Sequence, residues 1–450
     1  MTPSVPAGGS SARTYHLHKA LLSAASEYFQ GRLSQAWQQQ QDSQTVITIH
    51  AEPDKLEALD LLLRLMYAFD VPEAAPPQLL LQCLALADQY GAEGCFDPLL
   101  NRLEALLTPE KTDLSTLALT FTAPPGVQAQ PTFWHLLGTA KRAVIHLFGE
   151  APVVTGSEQL RQQFCSLPFA ALHSWAQSDE LRVHSENDVV FLMSAWVKAA
   201  QAEGGQGVST EQLEQLAHSV RVLRLHRAYQ YDVLTQLSWF RQCSGFKHCQ
   251  KLLAYKGQGA FPDPALKLPA VAGSADWWAG PPAWVAPQRN VFIPPVSILT
   301  WTLSGRELQQ LFYDHEIHSP TIYRNGFMLQ VRSKAVSVCT AAAAQPQPSC
   351  SLSVSCSVAG QAMADAGVPW GDGASVIMGD ITLKVGGDAA ANQAAAQQQL
   401  GAVLLDGGNA SQVFPNVLGS SAATLQELLA PHLGDGQLYI EAQFSAVDSP

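Results

Sequence analysis

The chain carries little charge. Of its 450 residues only 14% are Asp, Glu, Lys or Arg, and acidic residues outnumber basic ones 38 to 26, for a net charge of −12 with histidine neutral. The acidic residues are scattered, so they solvate the surface and form no acidic tail. A nucleic-acid partner calls for a basic face or tail, and no block of Lys and Arg occurs. No run of about 18 apolar residues is present either, which leaves no candidate for a membrane-spanning helix. The opening MTPSVPAGGSSAR lacks the apolar stretch of a secretory leader. Eight cysteines (Cys83, Cys95, Cys165, Cys243, Cys249, Cys339, Cys350 and Cys356) form no C-x-x-C pair. A reducing compartment and free thiols follow as the expectation.

Catalytic signatures are absent too. There is no G-x-S-x-G and no H-E-x-x-H. Gly371-Asp372-Gly373 and Gly434-Asp435-Gly436 lack the strand, the glycine spacing and the Lys-Ser/Thr of a phosphate-binding loop, so they read as turns. Cys243, His248 and Cys249 are the nearest thing to a metal cluster. Zinc sites need about four ligands, so a further partner would have to come from a distance, His218 or His226. The alternative is a helical segment with two partly buried thiols, and that reading leaves no metal and no cofactor. His16 and His18 are spaced to reach a metal from one side of a strand, but the simpler reading makes His18 a structural residue where a strand passes into a helix. No fixed-period repeat appears, which argues against a propeller or a solenoid. No catalytic constellation emerges, so an enzyme is not expected.

What is present suffices for real cores: 47% of the residues are hydrophobic, and the length predicts two or three domains. From Leu17 to Leu107 the pattern is helical. Leu17, Leu21, Ala24 and Tyr28 recur at helical spacing, and Ser26 caps a second helix that buries Phe29, Leu33 and Trp37. Thr45–His50 alternates like a strand. Pro53-Asp54, with Glu57 three residues after Asp54, reads as a capping box for a helix whose inner stripe is Leu56, Leu59, Leu63 and Met66. A helix from Pro76-Pro77 runs to Tyr90 and stops at Gly91, and another covers Phe96–Leu107. Helices continue from Leu114 to Tyr255: Phe133–Phe148, Pro168–Ser178, one capped by Ser185 and Asp188 that holds Val189, Met193 and Trp196, then Glu211–His218, Tyr229–Phe240 and Phe246–Tyr255. Leu181–His184 is a short extended piece.

Gly257–Asn290 contains six prolines together with Trp277, Trp278 and Trp284. It reads as a linker or a loop lying over a surface, and its tryptophans are expected to pack on something. After Asn290 come short alternating or β-branched segments: VFI, LTWTL, TIYRNGFMLQVRS, VSVCT, CSLSVSCSV, ASVIM, ITLKV and QLYIEAQFSAV. They predict an antiparallel sandwich. The Ala/Gln-rich GGDAAANQAAAQQQLGAVLLDGGNAS reads as an isolated helix or a disordered insertion.

His18-Lys19-Ala20-Leu21-Leu22-Ser23-Ala24-Ala25-Ser26-Glu27-Tyr28-Phe29 resembles the signature of BTB/POZ domains: a His, a helix with Leu, then Ser-x-Tyr-Phe. LLLRLMYAFDV and LLLQCLALADQYGAEGCFDPLLNRL continue the likeness over residues 14–108. Phe164–Val197 and LAHSVRVLRL (Leu216–Leu225) resemble a BACK domain, which commonly follows BTB. YDVLTQLSWF, LLAYKG and LQQLFYDHEIHSPTIYRNGFML are similar, more weakly, to the light-response BTB-BACK proteins of plants. The resemblance implies a multidomain α+β chain. Its parts would be a disordered 1–13, a BTB domain at 14–108 lacking its first strands, a helical BACK domain at 113–255, a linker at 256–289, and a sandwich-like β domain at 290–450.

It also implies a substrate-recruiting adaptor of a cullin-3 ubiquitin ligase, cytoplasmic or nuclear, in which the BTB part pairs with itself and holds the cullin while the β domain holds a protein substrate. It implies no nucleic acid, membrane or cofactor. The implied cullin-contact residues are Tyr28, Phe29, Trp37 and Gln39, with His18, Leu21, Leu63, Tyr67 and Trp196 in the structural core. The family's contact element would fall in a loop Ala36–Asp42, where Gln39 stands in place of an acid; a neutral amide gives up about 1.5–3 kcal/mol of charge-assisted contact. The rival reading is an oligomerising scaffold or transcription-linked regulator that binds no cullin.

Overall fold

Serine, proline and glycine set the ends of the first helices. In the computed structural model of the chain the described residues are 13–39, 47, 49, 52–108, 112–202, 207–227, 229–257, 281–291, 297–312, 317–324, 327–339, 348–369, 375–386, 396–406, 412–414 and 438–444. The chain divides into two compact units, Met1–Leu147 with Leu167–Trp175, and Phe148–Ser166 with Ala176–Pro450.

The first unit is helical where it is described. Helices α1 (Lys19–Ala25) and α2 (Glu27–Gln39) are separated by Ser26, whose backbone is extended. The Ser26 hydroxyl accepts from the Phe29 N–H at 3.3 Å and so caps α2. After a 3₁₀ turn at Pro53–Lys55 comes α3 (Leu56–Leu65). The expected Asp54/Glu57 capping box does not form. The prolyl turn takes Asp54 into itself, Lys55 holds the cap position of α3, and no side chain caps the start of the turn or of the helix. Of the strand expected at Thr45–His50 only Ile47 and Ile49 are described, and neither lies in a strand.

The remaining helices of this unit are α4 (Pro77–Gln89), α5 (Phe96–Leu106), α6 (Leu114–Phe121), α7 (Pro125–Ala129) and most of α8 (Pro131–Phe148). Leu59, Leu62 and Leu63 of α3, Leu80 and Leu84 of α4, and Leu99 and Leu103 of α5 are buried. Both α6 and α7 pack on α4, so the packing of this unit continues past Leu107.

Gly91 ends α4 in the left-handed region, with φ +57°. There its carbonyl accepts from the Glu27 N–H at 3.1 Å, while the Tyr90 carbonyl accepts from the Tyr28 N–H at 3.3 Å and from the Ser26 hydroxyl. The end of α4 therefore docks the start of α2. A Cβ at position 91 would stand 3.1 Å from Glu27 Cβ. Gly91→Ala is expected to cost about 1–2 kcal/mol for the left-handed backbone alone, read as a lowered thermal midpoint. An unchanged midpoint would mean that this junction does not set stability.

The second unit is built around one buried helix, α12 (Glu186–Ala202), in which every residue from Glu186 to Val197 is buried. A helix apolar on all sides needs neighbours all round. Around it lie α9 (Ala151–Gly156) and α10 (Glu158–Cys165), with α13 (Thr210–Ser219), α14 (Ser238–Arg241) and α15 (Phe246–Gly257) further along the chain; α11 (Phe169–Gln177) carries the chain back from the first unit. Before α12, the Asp188 carboxylate accepts from the His184 N–H at 2.6 Å and the Ser185 N–H at 3.4 Å, which fixes the helix start from inside.

The single helix expected over Tyr229–Phe240 is broken. A π-helical turn covers Tyr229–Val233, closed by the Leu234 N–H on the Tyr229 carbonyl at 2.8 Å, and Leu237 is extended before α14. Tyr229, Val233, Leu234, Leu237, Trp239 and Phe240 are all buried, more apolar positions than one helical stripe can hide. Unwinding between the two turns lets both sets face inward.

The extended piece at Leu181–His184 contains β1 (Arg182–Val183), which pairs in parallel with β2 (Asn290–Val291). Then follow β3 (Ser297–Leu303), α16 (Gly305–Phe312), β4 (Ile317–His318), β5 (Ile322–Arg324), β6 (Phe327–Cys339), β7 (Pro348–Val358), α17 (Gly360–Asp365), β8 (Ser375–Gly386), β9 (Ala396–Asp406), β10 (Gln412–Phe414) and β11 (Leu438–Phe444). The strands from β3 onward pair antiparallel in two sheets, one ordered β10-β7-β6-β4 with β5 also on β6, the other β3-β11-β8-β9. Part of the Ala/Gln-rich segment corrects the expectation of a helix or disorder: residues 396–406 form β9, paired with β8 from Ser375↔Asp406 to Val385↔Ala396. Its Leu400, Val403, Leu404 and Leu405 supply strand-forming apolar residues, and pairing with β8 outweighs the helix preference of Ala and Gln.

Candidate functional site

The resemblance pointed to the start of α2. There Tyr28 is half-buried and Phe29 is 2% exposed. The two rings meet edge-on at 5.4 Å, and Tyr90 closes the cluster at 5.1 Å from Tyr28 and 6.0 Å from Phe29. The Arg32 guanidinium lies 5.8 Å from the Tyr28 ring centre, and its Nε donates to the Tyr28 hydroxyl at 3.4 Å. Phe29 is therefore an anchor that holds α2 against α4 and offers no surface, which corrects its reading as a contact residue. The partly open face belongs to Tyr28 and Arg32. The loop expected at Ala36–Asp42 is also corrected: Ala36–Gln39 remain inside α2, so Trp37 and Gln39 sit on helical backbone, and their side chains lie outside the described residues. Gly31 and Ser34, the weakest helix formers of the segment, do not stop the helix before Gln39.

His18 and Leu21, expected in the core, are on the surface, Leu21 at 45% exposure. In α1 the inward position is Leu22, one residue on, because the short helix, about two turns long, packs that side toward α2. His18 instead rests on the half-buried Tyr67: its N–H donates to the Tyr67 hydroxyl and its Nδ1 lies 3.2 Å from it. Leu63 and Trp196 are buried.

In the second unit a charged pair is buried at the head of α12. Arg289 and Glu186 are each about as buried as a leucine in a core, with Nε donating to Oε2 at 2.9 Å and Nη2 to Oε1 at 3.2 Å. Arg289 also donates to the carbonyls of Ala176 (2.6 Å), Ser219 (3.4 Å) and Ser178. The Arg221 N–H donates to Glu186 Oε1 at 3.0 Å. Trp284 is fully buried, donates from its indole to the Ala217 carbonyl at 2.8 Å and packs on Phe240 at 5.8 Å. So Trp284 does pack, as expected of the tryptophans in that stretch; Trp277 and Trp278 lie outside the described residues. Together Trp284, Arg289 and β2 tie residues 284–291 to the helices of the second unit.

Asp188, fully buried one turn into α12, also accepts from the Tyr323 hydroxyl of β5 at 2.6 Å. Burial raises its carboxyl to about 6, helped by Glu186 and opposed by the hydrogen bonds from Tyr323, His184 and Ser185. Burial also pushes the Tyr323 and Tyr229 hydroxyls well above their ordinary range, so both stay protonated donors.

Beside this frame opens a cleft of about 690 Å³, lined among others by Asp179, His218, Arg221, Gly245, His248 and Arg289. Of the residues weighed for metal, Cys249 is buried, with its thiol pushed up to about 12 by burial, and His248 is exposed on the cleft. His226 is elsewhere, 6.0 Å from the Phe327 ring. His218, by contrast, comes together with Cys243 and with Glu214, a residue the sequence did not single out: one donor atom from each lies within 4.8 Å of the others. The i, i+4 spacing of Glu214 and His218 was the available signal, since both point the same way from α13. The six cysteines with described side chains, Cys83, Cys95, Cys165, Cys243, Cys249 and Cys356, are free.

No helix among the described residues is long and apolar enough to cross a membrane. A search of curated proteins finds no match to the chain. Residues 8–104 match the family model of the BTB/POZ domain, and residues 158–235 match that of BACK, described as BTB And C-terminal Kelch. Both are interaction domains without catalytic machinery of their own. With α1–α4 and most of α5 inside the first match and α10–α13 inside the second, the chain is a BTB–BACK domain protein.

Proposed function

We propose that the chain is a substrate-recruiting adaptor of a cullin-3-type ubiquitin ligase. The observation that carries this reading is the order of its parts: a BTB domain, then BACK, then a region of antiparallel strands with no catalytic motif in the sequence. BTB–BACK chains are typical of such adaptors. The BTB part pairs with a second copy and holds the cullin, and the strands after Asn290, folded as a sandwich, hold the protein substrate. The contribution is effective concentration: a tethered target meets the transferring enzyme far more often than a free one. On the BTB face the cullin meets Tyr28 and Arg32, with Trp37 and Gln39 further along α2.

Calorimetric titration of the full chain with a cullin-3 amino-terminal domain tests this. Binding is expected in the wild type, tightened about tenfold by Gln39→Glu, which restores a charge-assisted hydrogen bond, and weakened by Arg32→Ala, an exposed position whose loss leaves the Phe29 anchor intact. Absence of binding by a folded chain favours the oligomerising scaffold without a cullin.

A further inference from the structure

We propose that Glu214, His218 and Cys243 bind Zn²⁺ at the edge of the cleft in the second unit. The three are held by separate devices. A capping box fixes α13 at its start: the Ser209 hydroxyl accepts from the Gln212 N–H, and the Gln212 side chain accepts from the Ser209 N–H. One turn apart on that helix, Glu214 Oε1 and His218 Nε2 stand 3.7 Å from each other. Cys243 comes from the tight turn after α14, whose backbone is closed by Cys243 N–H on the Phe240 carbonyl at 3.1 Å and Phe246 N–H on the Cys243 carbonyl at 3.1 Å. Burial, with the nearby Glu214, raises the Cys243 thiol above its ordinary range, and the Gly245 N–H, donating to its sulfur, opposes that rise; metal binding displaces the thiol proton.

The donor set fits zinc. Bonds of about 2.0–2.3 Å in a tetrahedron place ligand atoms roughly 3.4–3.8 Å apart. The carboxylate–imidazole pair already meets that spacing, and the whole set lies within 4.8 Å, so a side-chain adjustment of about 1 Å closes it. Sulfur, nitrogen and one carboxylate oxygen select a borderline cation such as Zn²⁺ or Co²⁺ over Mg²⁺ or Ca²⁺, which take oxygen alone.

Outer partners are present as well. The Ser244 hydroxyl donates to Glu214 Oε1, and the Trp284 ring stands edge-on to His218 at 6.2 Å, giving the site an apolar wall. Gly245 permits this wall, because a Cβ there would stand 2.9 Å from the Trp284 ring. Of the three ligands His218 lines the cleft, beside Ser244 and Gly245, and three protein ligands leave the fourth position of a tetrahedral zinc to water. Bound metal would join α13 to the turn at Cys243–Gly245, the two pieces of backbone between which Trp284 is seated. The bland alternative is a surface Glu–His pair beside an inert thiol.

The test titrates the reduced, metal-free full chain with Co²⁺, follows the thiolate-to-cobalt charge-transfer absorption, and then displaces Co²⁺ with Zn²⁺. One equivalent is expected to give the band. Cys243→Ser removes it, Cys165→Ser keeps it, and Ser244→Ala weakens affinity about tenfold. His218→Gln and Glu214→Gln, both at half-exposed positions, give a second measure should Cys243→Ser unfold; each is expected to weaken affinity by at least about tenfold. A wild type without the band overturns the proposal. So does a band that survives in Cys243→Ser, or affinity unchanged in both helix variants.

Discussion

Arg289→Ala is expected to lower the stability of the second unit by about 3–5 kcal/mol, the usual cost of removing one partner of a buried ion pair. The loss comes mainly from what is left behind. Glu186 would remain buried with only the Arg221 N–H as a described partner, and the Ala176, Ser178 and Ser219 carbonyls would lose a donor. An uncompensated buried carboxylate is the costly element, so the double variant Arg289→Met with Glu186→Gln should recover much of the loss. Chemical denaturation of the full chain followed by tryptophan fluorescence reads this, since Trp196, Trp239 and Trp284 are buried in the same unit. A change below about 1 kcal/mol for Arg289→Ala would show that the pair does not hold residues 284–291 in place. Limited proteolysis adds a second signature: with Arg289 gone, residues 284–291 should become open to cleavage.

The pairing behind that result was not legible in the sequence. Arg289 and Glu186 are separated by 103 positions, and nothing local marks either as buried. Cys243 likewise joins His218 and Glu214 only once α13 and the turn after α14 are packed, although the i, i+4 spacing of the last two is a local signal. What could be read was local or carried by a motif. Ser26 capping α2 is a single-residue signal, as is Gly91 ending α4; both follow from backbone chemistry within a few residues. Of the stripe Leu56, Leu59, Leu63 and Met66, read from spacing alone, the last three are buried and Leu56, at the start of α3, is half-buried.

Failures came where tertiary packing overrode a local rule. Leu21 matched the helical spacing, yet Leu22 is the buried one, because α1 is only about two turns long and its rotation is set by packing on α2. The continuous helix over Tyr229–Phe240 was a sound reading of a dense apolar run, but too many of its residues needed burial for one helix face. The Ala/Gln-rich segment has good helix formers, and residues 396–406 still pair as a strand because β8 offers a ladder. The contact residues expected on α2 rest on resemblance alone, and the structure changes their setting: Phe29 is core, and the residues from Ala36 to Gln39 are helix.

Acid should stabilise one junction of the second unit while it weakens most of the protein. Asp188 has a folded pKa of about 6, above its ordinary value of 3.8. The folded state thus holds its proton more tightly than the unfolded chain, and this group's contribution is fully present below the unfolded value and lost as pH rises through about 6. Between pH 7 and pH 5 the contribution grows by about 1.4 kcal/mol, and below the unfolded value it approaches about 3 kcal/mol. The groups facing Asp188 are the Tyr323 hydroxyl of β5, the His184 ring with Nδ1 3.8 Å from Oδ2, Tyr229 and Glu186. Other carboxylates lose their native partners over the same range, so the signal lies in a difference. Comparing denaturation of the wild type with Asp188→Asn at pH 7 and pH 5, the wild type should gain on the variant by about 1.4 kcal/mol as pH falls. Asn cannot titrate, and its one accepting oxygen beside an N–H donor matches the protonated acid's accepting oxygen beside an O–H, so the difference between the two proteins isolates the titration. A gap that stays constant, or that narrows toward acid, would mean that Asp188 is not held protonated between α12 and β5.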